Sequence, residues 1–241
     1  MEIRTATVHL TTPDGKMPAH QASPATGGPY PALIVIMEAF GLNGHIKDVT
    51  ERWAREGYVS MAPDLYYREG SPVVEYSDLP KAIGFMNTLQ DPKVLADLGA
   101  VFTHLKGLKE VRADRIGVTG FCMGGRLTFL TSCQRANDVK VAVSFYGGGI
   151  AADSPQAPIN FADKLQTPIL CFFGDKDPLI PMDQVKKIDE TLKKLGKNYE
   201  VKVYSGATHG FFCNERPSYH PDAAKDAWEK AKAWVAKSLK S

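Results

Sequence analysis

Apolar runs of strand length alternate along the chain with longer stretches whose apolar residues recur at helical spacing. Residues 33–38 (L-I-V-I-M-E) form a continuous, β-branched run that ends in an acid. Residues 58–62, 115–119, 139–145, 168–173 and 199–204 continue the strand series. Runs that are apolar throughout, rather than alternating, predict a parallel sheet covered on both faces. Helices are predicted between them at residues 46–56, 80–86, 93–108, 123–134 and 182–195, with a last one at 221–238. In that last helix Trp228, Ala231, Trp234 and Val235 repeat at helical spacing, the pattern of a docking face.

Residues 2–10 alternate in character and read as an edge strand. Residues 13–31 are rich in Pro, Gly, Ala and Ser, which predicts a surface connection. Repeated β-then-α order predicts an α/β fold with a doubly wound, mostly parallel sheet flanked by helices. No linker composition interrupts the later chain, so residues 1–241 are expected to form a single domain.

Composition narrows the function classes. A net charge of +2 with dispersed lysines gives no footprint for nucleic acid. No segment reaches the roughly 20 apolar residues of a membrane span. The first residues lack the basic start and apolar run of a signal peptide, so a cytoplasmic location is expected. Cys122, Cys133, Cys171 and Cys213 show no C-x-x-C spacing and read as reduced thiols. The histidines and cysteines show no metal-ligand spacing, so neither metal nor cofactor is expected. Gly147-Gly148-Gly149 lacks the register of a phosphate loop.

In an open α/β sheet, ligands bind beyond the carboxyl ends of the strands. The residues placed there are Glu38, the turn Gly120-Phe121-Cys122-Met123-Gly124-Gly125, the loop containing Asp175 and Asp177, and the loop containing His209. G-x-C-x-G has the form of a nucleophile elbow with sulfur in place of oxygen. Gly120 and Gly124 would let strand and helix cross closely, and the positive end of the helix would favour a thiolate. The backbone N–H of Met123 is placed to hold an oxyanion, with a second donor expected from Ala39. His209 is the candidate base, and either Asp175 or Asp177 its orienting acid, in the chain order nucleophile, acid, histidine.

These residues resemble the dienelactone hydrolase (carboxymethylenebutenolidase) family of α/β-hydrolases. The resemblance runs from about Pro31 through I-V-I-M-E-A-F-G-L-N, G-Y-V-S-M-A-P-D-L-Y, G-V-T-G-F-C-M-G-G, D-K-D-P-L-I-P and A-T-H-G-F. It implies a Cys122–His209–Asp177 triad, selecting Asp177 over Asp175, and oxyanion donors at Met123 and Ala39. It also implies that Glu38 restrains the resting thiol, although a capping or salt-bridged glutamate is the alternative.

The chain departs from the family pattern where an arginine that clamps a substrate carboxylate is expected. Four residues after His209 stands Cys213, and the nearest arginine is Arg216. No arginine follows Arg68 in residues 69–79. Phe40, Tyr66, Tyr146, Phe211 and Phe212 predict an aromatic-walled pocket instead. The expectation is a monomeric or weakly dimeric hydrolase of neutral or aromatic esters or lactones, acting through a thioester. The alternatives are strict dienelactone hydrolysis with Arg68 or Arg216 as clamp, attack on organophosphates, or a thiol sensor on a hydrolase scaffold.

Overall fold

A computed structural model describes residues 1–240; Ser241, the last residue of the expected domain, lies outside the described residues. The chain divides into two compact units, Met1–Gly117 and Val118–Ser241. The first holds β1 (Ile3–Thr12), β2 (Gly15–Pro24), β3 (Tyr30–Ile36) and β4 (Val59–Pro63), in the spatial order β1-β2-β4-β3. β1 pairs with β2 and β2 with β4 antiparallel, whereas β3 and β4 run parallel. The continuous apolar run of β3 is buried from Pro31 to Ile36, as expected of a strand covered on both faces.

β2 corrects the expected surface connection at residues 13–31. The turn Pro13-Asp14-Gly15, with Gly15 at φ 136°, folds the chain back along β1. Pro18 and Pro24 flank Ala19–Ala22, the stretch paired with strands on both sides. Proline cannot donate to a ladder, so it is tolerated at these margins. Met17, Ala19 and Ala22 are fully buried. Small residues close to the neighbouring backbone replaced the usual β-branched signal of a strand.

Three helices belong to the first unit: α1 (Gly44–Arg55), α2 (Leu79–Met86) and α3 (Asp91–Gly107). Asn43 caps α1 by accepting from the Ile46 N–H at 3.1 Å, and Ile46, Val49 and Trp53 form its buried face. α3 buries Val94, Leu98, Val101, Phe102 and Leu105, a stripe at helical spacing. Within that stripe lies a carboxylate, Asp97, with no exposed surface. Arg68 donates to both of its oxygens at 2.7 and 2.9 Å, and the Tyr67 hydroxyl adds a bond of 3.1 Å. The same guanidinium donates to Asp14 at 2.7 Å. These two carboxylates hold the Arg68 pKa above its ordinary value, the Asp97 hydrogen bonds being the largest influence.

β5 (Val111–Phe121) carries the chain into the second unit, which continues through α4 (Met123–Gln134), β6 (Ala142–Phe145), β7 (Ile169–Gly174), α5 (Met182–Lys194), β8 (Tyr199–Tyr204) and α6 (Pro221–Leu239). β5, β6, β7 and β8 pair in that order, all parallel. The register sets Phe121 opposite Phe145, Phe145 opposite Phe172, and Gly174 opposite Tyr204. The loops that follow these strands therefore leave from one edge. α6 docks through Ala223, Ala227, Ala231, Val235 and Leu239, while the tryptophans expected on its buried face are only half-buried. Small residues on the seam let the helix approach closely. No described helix is long and apolar enough to cross a membrane.

Arg68→Ala should lower stability in urea unfolding by about 3 kcal/mol, because it strands a buried carboxylate. A change below about 0.5 kcal/mol, the range of ordinary surface substitutions, would contradict a structural role for the pair.

Candidate active site

β5 ends at Phe121, and Cys122 forms the N-cap of α4 at φ 55° and ψ −118°. A non-glycine residue in this region carries strain of order 1–3 kcal/mol and persists only where its surroundings impose it. Here the surroundings are glycines. A Cβ on Gly120 would collide with the Gly124 carbonyl and approach the Thr128 hydroxyl to 2.7 Å. A Cβ on Gly125 would lie 2.5 Å from the Phe145 carbonyl and 2.9 Å from the Cα of Gly147. The Cys122 N–H donates to the Phe145 carbonyl at 3.0 Å, and its own carbonyl accepts the Arg126 N–H at 3.2 Å. The elbow is thus held on both sides, by the end of β6 and by the first turn of α4.

Cys122 is half-buried, whereas Cys133, Cys171 and Cys213 are buried. Burial pushes the Cys133 and Cys171 thiols up to about 12, so both stay protonated near neutral pH. Only the elbow cysteine combines access with the positive end of a helix.

The loops after β7 and β8 are joined residue by residue. Gly174 packs so closely on Ala207 that a Cβ would collide with the Ala207 carbonyl. The Asp175 N–H donates to the Tyr204 carbonyl at 3.1 Å, and the Lys176 N–H to the Ala207 carbonyl at 3.0 Å. The Asp175 carboxylate accepts the Gly206 N–H at 2.7 Å and the Ser205 hydroxyl at 3.2 Å. Asp175 therefore secures the turn that leads to His209. Asp177, the next residue but one, accepts the Leu179 N–H on Oδ1 at 2.8 Å and meets His209 Nδ1 with Oδ2 at 2.7 Å.

That bond orients the imidazole and leaves Nε2 on the opposite edge. Nε2 is buried and has no hydrogen-bond partner among the described residues. Burial pulls the His209 pKa down. The negative charge of the Cys122 thiolate and the bond to Asp177 outweigh it and carry the pKa up to about 10. Cys122 is thus near enough to act on the charge of the ring.

The sequence matches the dienelactone hydrolase family over residues 17–239, nearly the whole chain. The chain belongs to this family. A protein of Synechocystis sp., provisionally named a carboxymethylenebutenolidase, is 38% identical over 247 residues, covering 100% of this chain and 99% of that protein. A Bradyrhizobium sp. protein, provisionally named a 2-oxo-3-(5-oxofuran-2-ylidene)propanoate lactonase, is 35% identical, with 87% of this chain and 85% of that protein covered. The crystal structure of a provisionally identified dienelactone hydrolase from Klebsiella pneumoniae superposes with a TM-score of 0.90 at 35% identity, over 98% of this chain and 100% of that one. The protein is therefore an α/β-hydrolase of the dienelactone hydrolase type, acting on ester or lactone bonds.

The other residues singled out from the sequence are placed as follows. In the first unit Glu38 is fully buried two residues beyond β3, and its carbonyl accepts the Gly41 N–H at 3.2 Å. The Ala39 carbonyl accepts the Tyr66 hydroxyl at 3.0 Å. Tyr66 is itself fully buried, so its hydroxyl serves the backbone here. Phe40 meets Tyr76 edge-on at 4.7 Å inside a small cluster with Val74 and Ala82. In the second unit Phe212 stacks on Phe121 at 5.4 Å, and Phe211 packs on Tyr204 at 5.3 Å. Tyr146, expected as a pocket wall, is fully buried and meets the His209 ring at 5.2 Å.

Arg68 is held by Asp97 and Asp14, which leaves it poorly suited to the clamp considered from sequence. Arg216 lies against Gly210, directly after His209, where its guanidinium fills the space of a Cβ. Among the described residues no cluster of three or more His, Cys, Asp or Glu is placed to hold a metal ion. Asp175 as a loop fastener, Gly125 and Gly147 as contacts, and Tyr146 beside the imidazole escaped sequence reasoning. The one available signal was a tyrosine followed by three glycines at the end of a strand.

Two outcomes follow from this geometry. The imidazolium persists up to a pH of about 10, so a positive charge stands beside Cys122 across the neutral range. Alkylation of Cys122 by iodoacetamide at pH 6 should therefore slow about 10-fold or more in His209→Gln, converging above about pH 9, where an unassisted thiol ionises. Equal rates at pH 6 would contradict the pairing. Asp177→Asn should lower kcat by about 100-fold or more, since the tautomer is lost. Asp175→Asn should mainly lower the melting temperature, costing about 1 kcal/mol per weakened bond. Reversal of that ranking in esterase assays would reassign the acid.

Proposed function

We propose that the chain hydrolyses neutral esters or lactones, aryl esters among them, through a thioester on Cys122. The observation that carries this reading is a half-buried thiol at a left-handed elbow beside a histidine whose Nδ1 is 2.7 Å from a buried aspartate.

The Cys122 thiolate attacks the carbonyl carbon, and the electron pair of the C=O bond moves onto oxygen. The Met123 N–H, at the first position of α4, is assigned to hold that oxyanion. The C–O bond to the leaving group then breaks, and the departing oxygen takes a proton from His209 Nε2. In a lactone this oxygen stays tethered to the acyl chain as a hydroxyl. Neutral His209 next accepts a proton from water, whose oxygen attacks the thioester carbon. Collapse expels the thiolate, and the imidazolium is present again beside it. Asp177 accepts from Nδ1 and keeps the proton on that nitrogen. Glu38 and Ala39 are assigned to the same chemistry by sequence resemblance, as a restraint on the resting thiol and a second oxyanion donor.

The preference for neutral substrates rests on side chains already committed elsewhere. A buried Cys213 stands where the family pattern has an arginine, and Arg68 is neutralised by two carboxylates. Unpaired burial of a substrate carboxylate costs several kcal/mol. A second reading, hydrolysis of acidic lactones, is favoured by one observation: Arg216 lies against the residue that follows His209.

p-Nitrophenyl acetate should be turned over by the wild type with an acyl adduct visible by intact mass, and Cys122→Ala should give neither. Among lactones, a neutral methyl ester should exceed its free acid in kcat/KM by about 10-fold or more, the worth of one unpaired charge. Preference for the acid, abolished by Arg216→Ala, would transfer the assignment to the second reading.

A further inference from the structure

Tyr146 has no exposed surface, lies one residue beyond β6, and adopts φ 38°, a left-handed backbone that bulky residues rarely take. Glycine takes this conformation without a Cβ clash, and glycines stand at the next three positions. The chain nevertheless places an aromatic ring at the strained point. Its backbone is held there: the Tyr146 N–H donates to the Phe172 carbonyl at 2.8 Å. Gly147 is pressed so closely against Gly125 that a Cβ would lie 2.8 Å from that residue's carbonyl carbon.

The ring enters the space where the loops of the second unit meet. It stands edge-on to the His209 imidazole at 5.2 Å and 64°, and to Phe211 at 5.3 Å and 72°. It also meets Phe121, the residue before Cys122, at 6.1 Å. Asp177 fixes one end of the imidazole through Nδ1, but a single hydrogen bond leaves the tilt of the ring plane free. A flat, buried side chain against the same ring removes that freedom.

We propose that Tyr146 is a positioning residue, a strained aromatic wedge that sets the plane of His209 so that Nε2 faces Cys122. This rests on the reading of His209 as the proton carrier. The aromatic ring is the working part, and the left-handed backbone is what delivers it.

The test compares Tyr146→Phe, Tyr146→Ala and Tyr146→Gly with wild type and His209→Gln. Readouts are p-nitrophenyl acetate kinetics, iodoacetamide alkylation at pH 6, and melting temperature. Tyr146→Phe should retain kcat within about 3-fold, and the Ala and Gly variants should each lose about 30-fold in kcat, as misplacement of a reacting group does. KM should stay within about 3-fold, because ground-state binding is untouched. Tyr146→Gly should melt above Tyr146→Ala, since glycine takes the left-handed backbone without strain, and yet remain as slow. Should the Ala variant not fold, the Gly variant carries the test.

Wild-type kcat and alkylation in the Ala or Gly variant would overturn the proposal, as would a kcat that recovers from Ala to Gly in step with melting temperature. Undiminished turnover by His209→Gln would remove the base role and the wedge together. A slow His209→Gln beside unaffected Tyr146 variants would remove the wedge alone.

Discussion

The site depends on a steric constraint, the absence of Cβ atoms where β5 passes into α4. Gly120 sits against the Gly124 carbonyl, and Gly125 against Phe145 and Gly147. Because these contacts are backbone on backbone, no rotamer change could relieve an added methyl group. The helix would have to shift, and the residue between strand and helix would move with it. Close approach is also what forces Cys122 to φ 55°. The bend lifts the sulfur out of the packed interior, where burial would keep it protonated like Cys133 and Cys171. The same contacts bring the end of β6 against the start of α4, where the Ser144 hydroxyl donates to the Gly125 carbonyl at 2.9 Å.

Two carboxylates two residues apart divide the remaining work by their surroundings. Asp175 is partly exposed and gives its oxygens to the Ser205–Gly206 turn, while Asp177 is buried and faces the imidazole. Exchange of these roles would require β7 to slip by two residues against β8. The register Gly174↔Tyr204 and the contact of Gly174 with Ala207 oppose that slip. Loop geometry at the edge of the parallel sheet thus decides which acid can reach Nδ1. For the proton transfer proposed for His209, a zipped loop also means little reorganisation.

How far the chain is legible from sequence follows from what each signal depends on. β3, β7 and β8, together with α4, follow from local apolar runs and periodicity, and the elbow from glycines around one cysteine. The strand at Gly15–Pro24 escaped because its paired positions are filled by Ala, Met and Pro, whose place in a sheet is settled by neighbours distant in sequence. The family resemblance selected Asp177 over Asp175, whereas residue chemistry left both open. Aromatic side chains were the least legible. Tyr66 and Tyr146 read as substrate walls, but burial in the core sets their contacts, and no local pattern encodes which ring meets which.

The electrostatics of the second unit bear on substrate charge independently of any arginine count. On the proposed route a Cys122 thiolate and the Asp177 carboxylate face one imidazolium, so the local balance is already negative by one charge. A substrate carboxylate would make it more so, whereas the oxyanion of the tetrahedral intermediate only relocates the charge of the attacking thiolate. On the proposed route, an added negative charge stabilises the protonated imidazole and thereby hinders the step in which it gives its proton to the leaving group. A neutral acyl group avoids this penalty. A cation that relieved it for an acidic substrate would have to act near His209, and Arg216, against Gly210, is the guanidinium placed beside that loop.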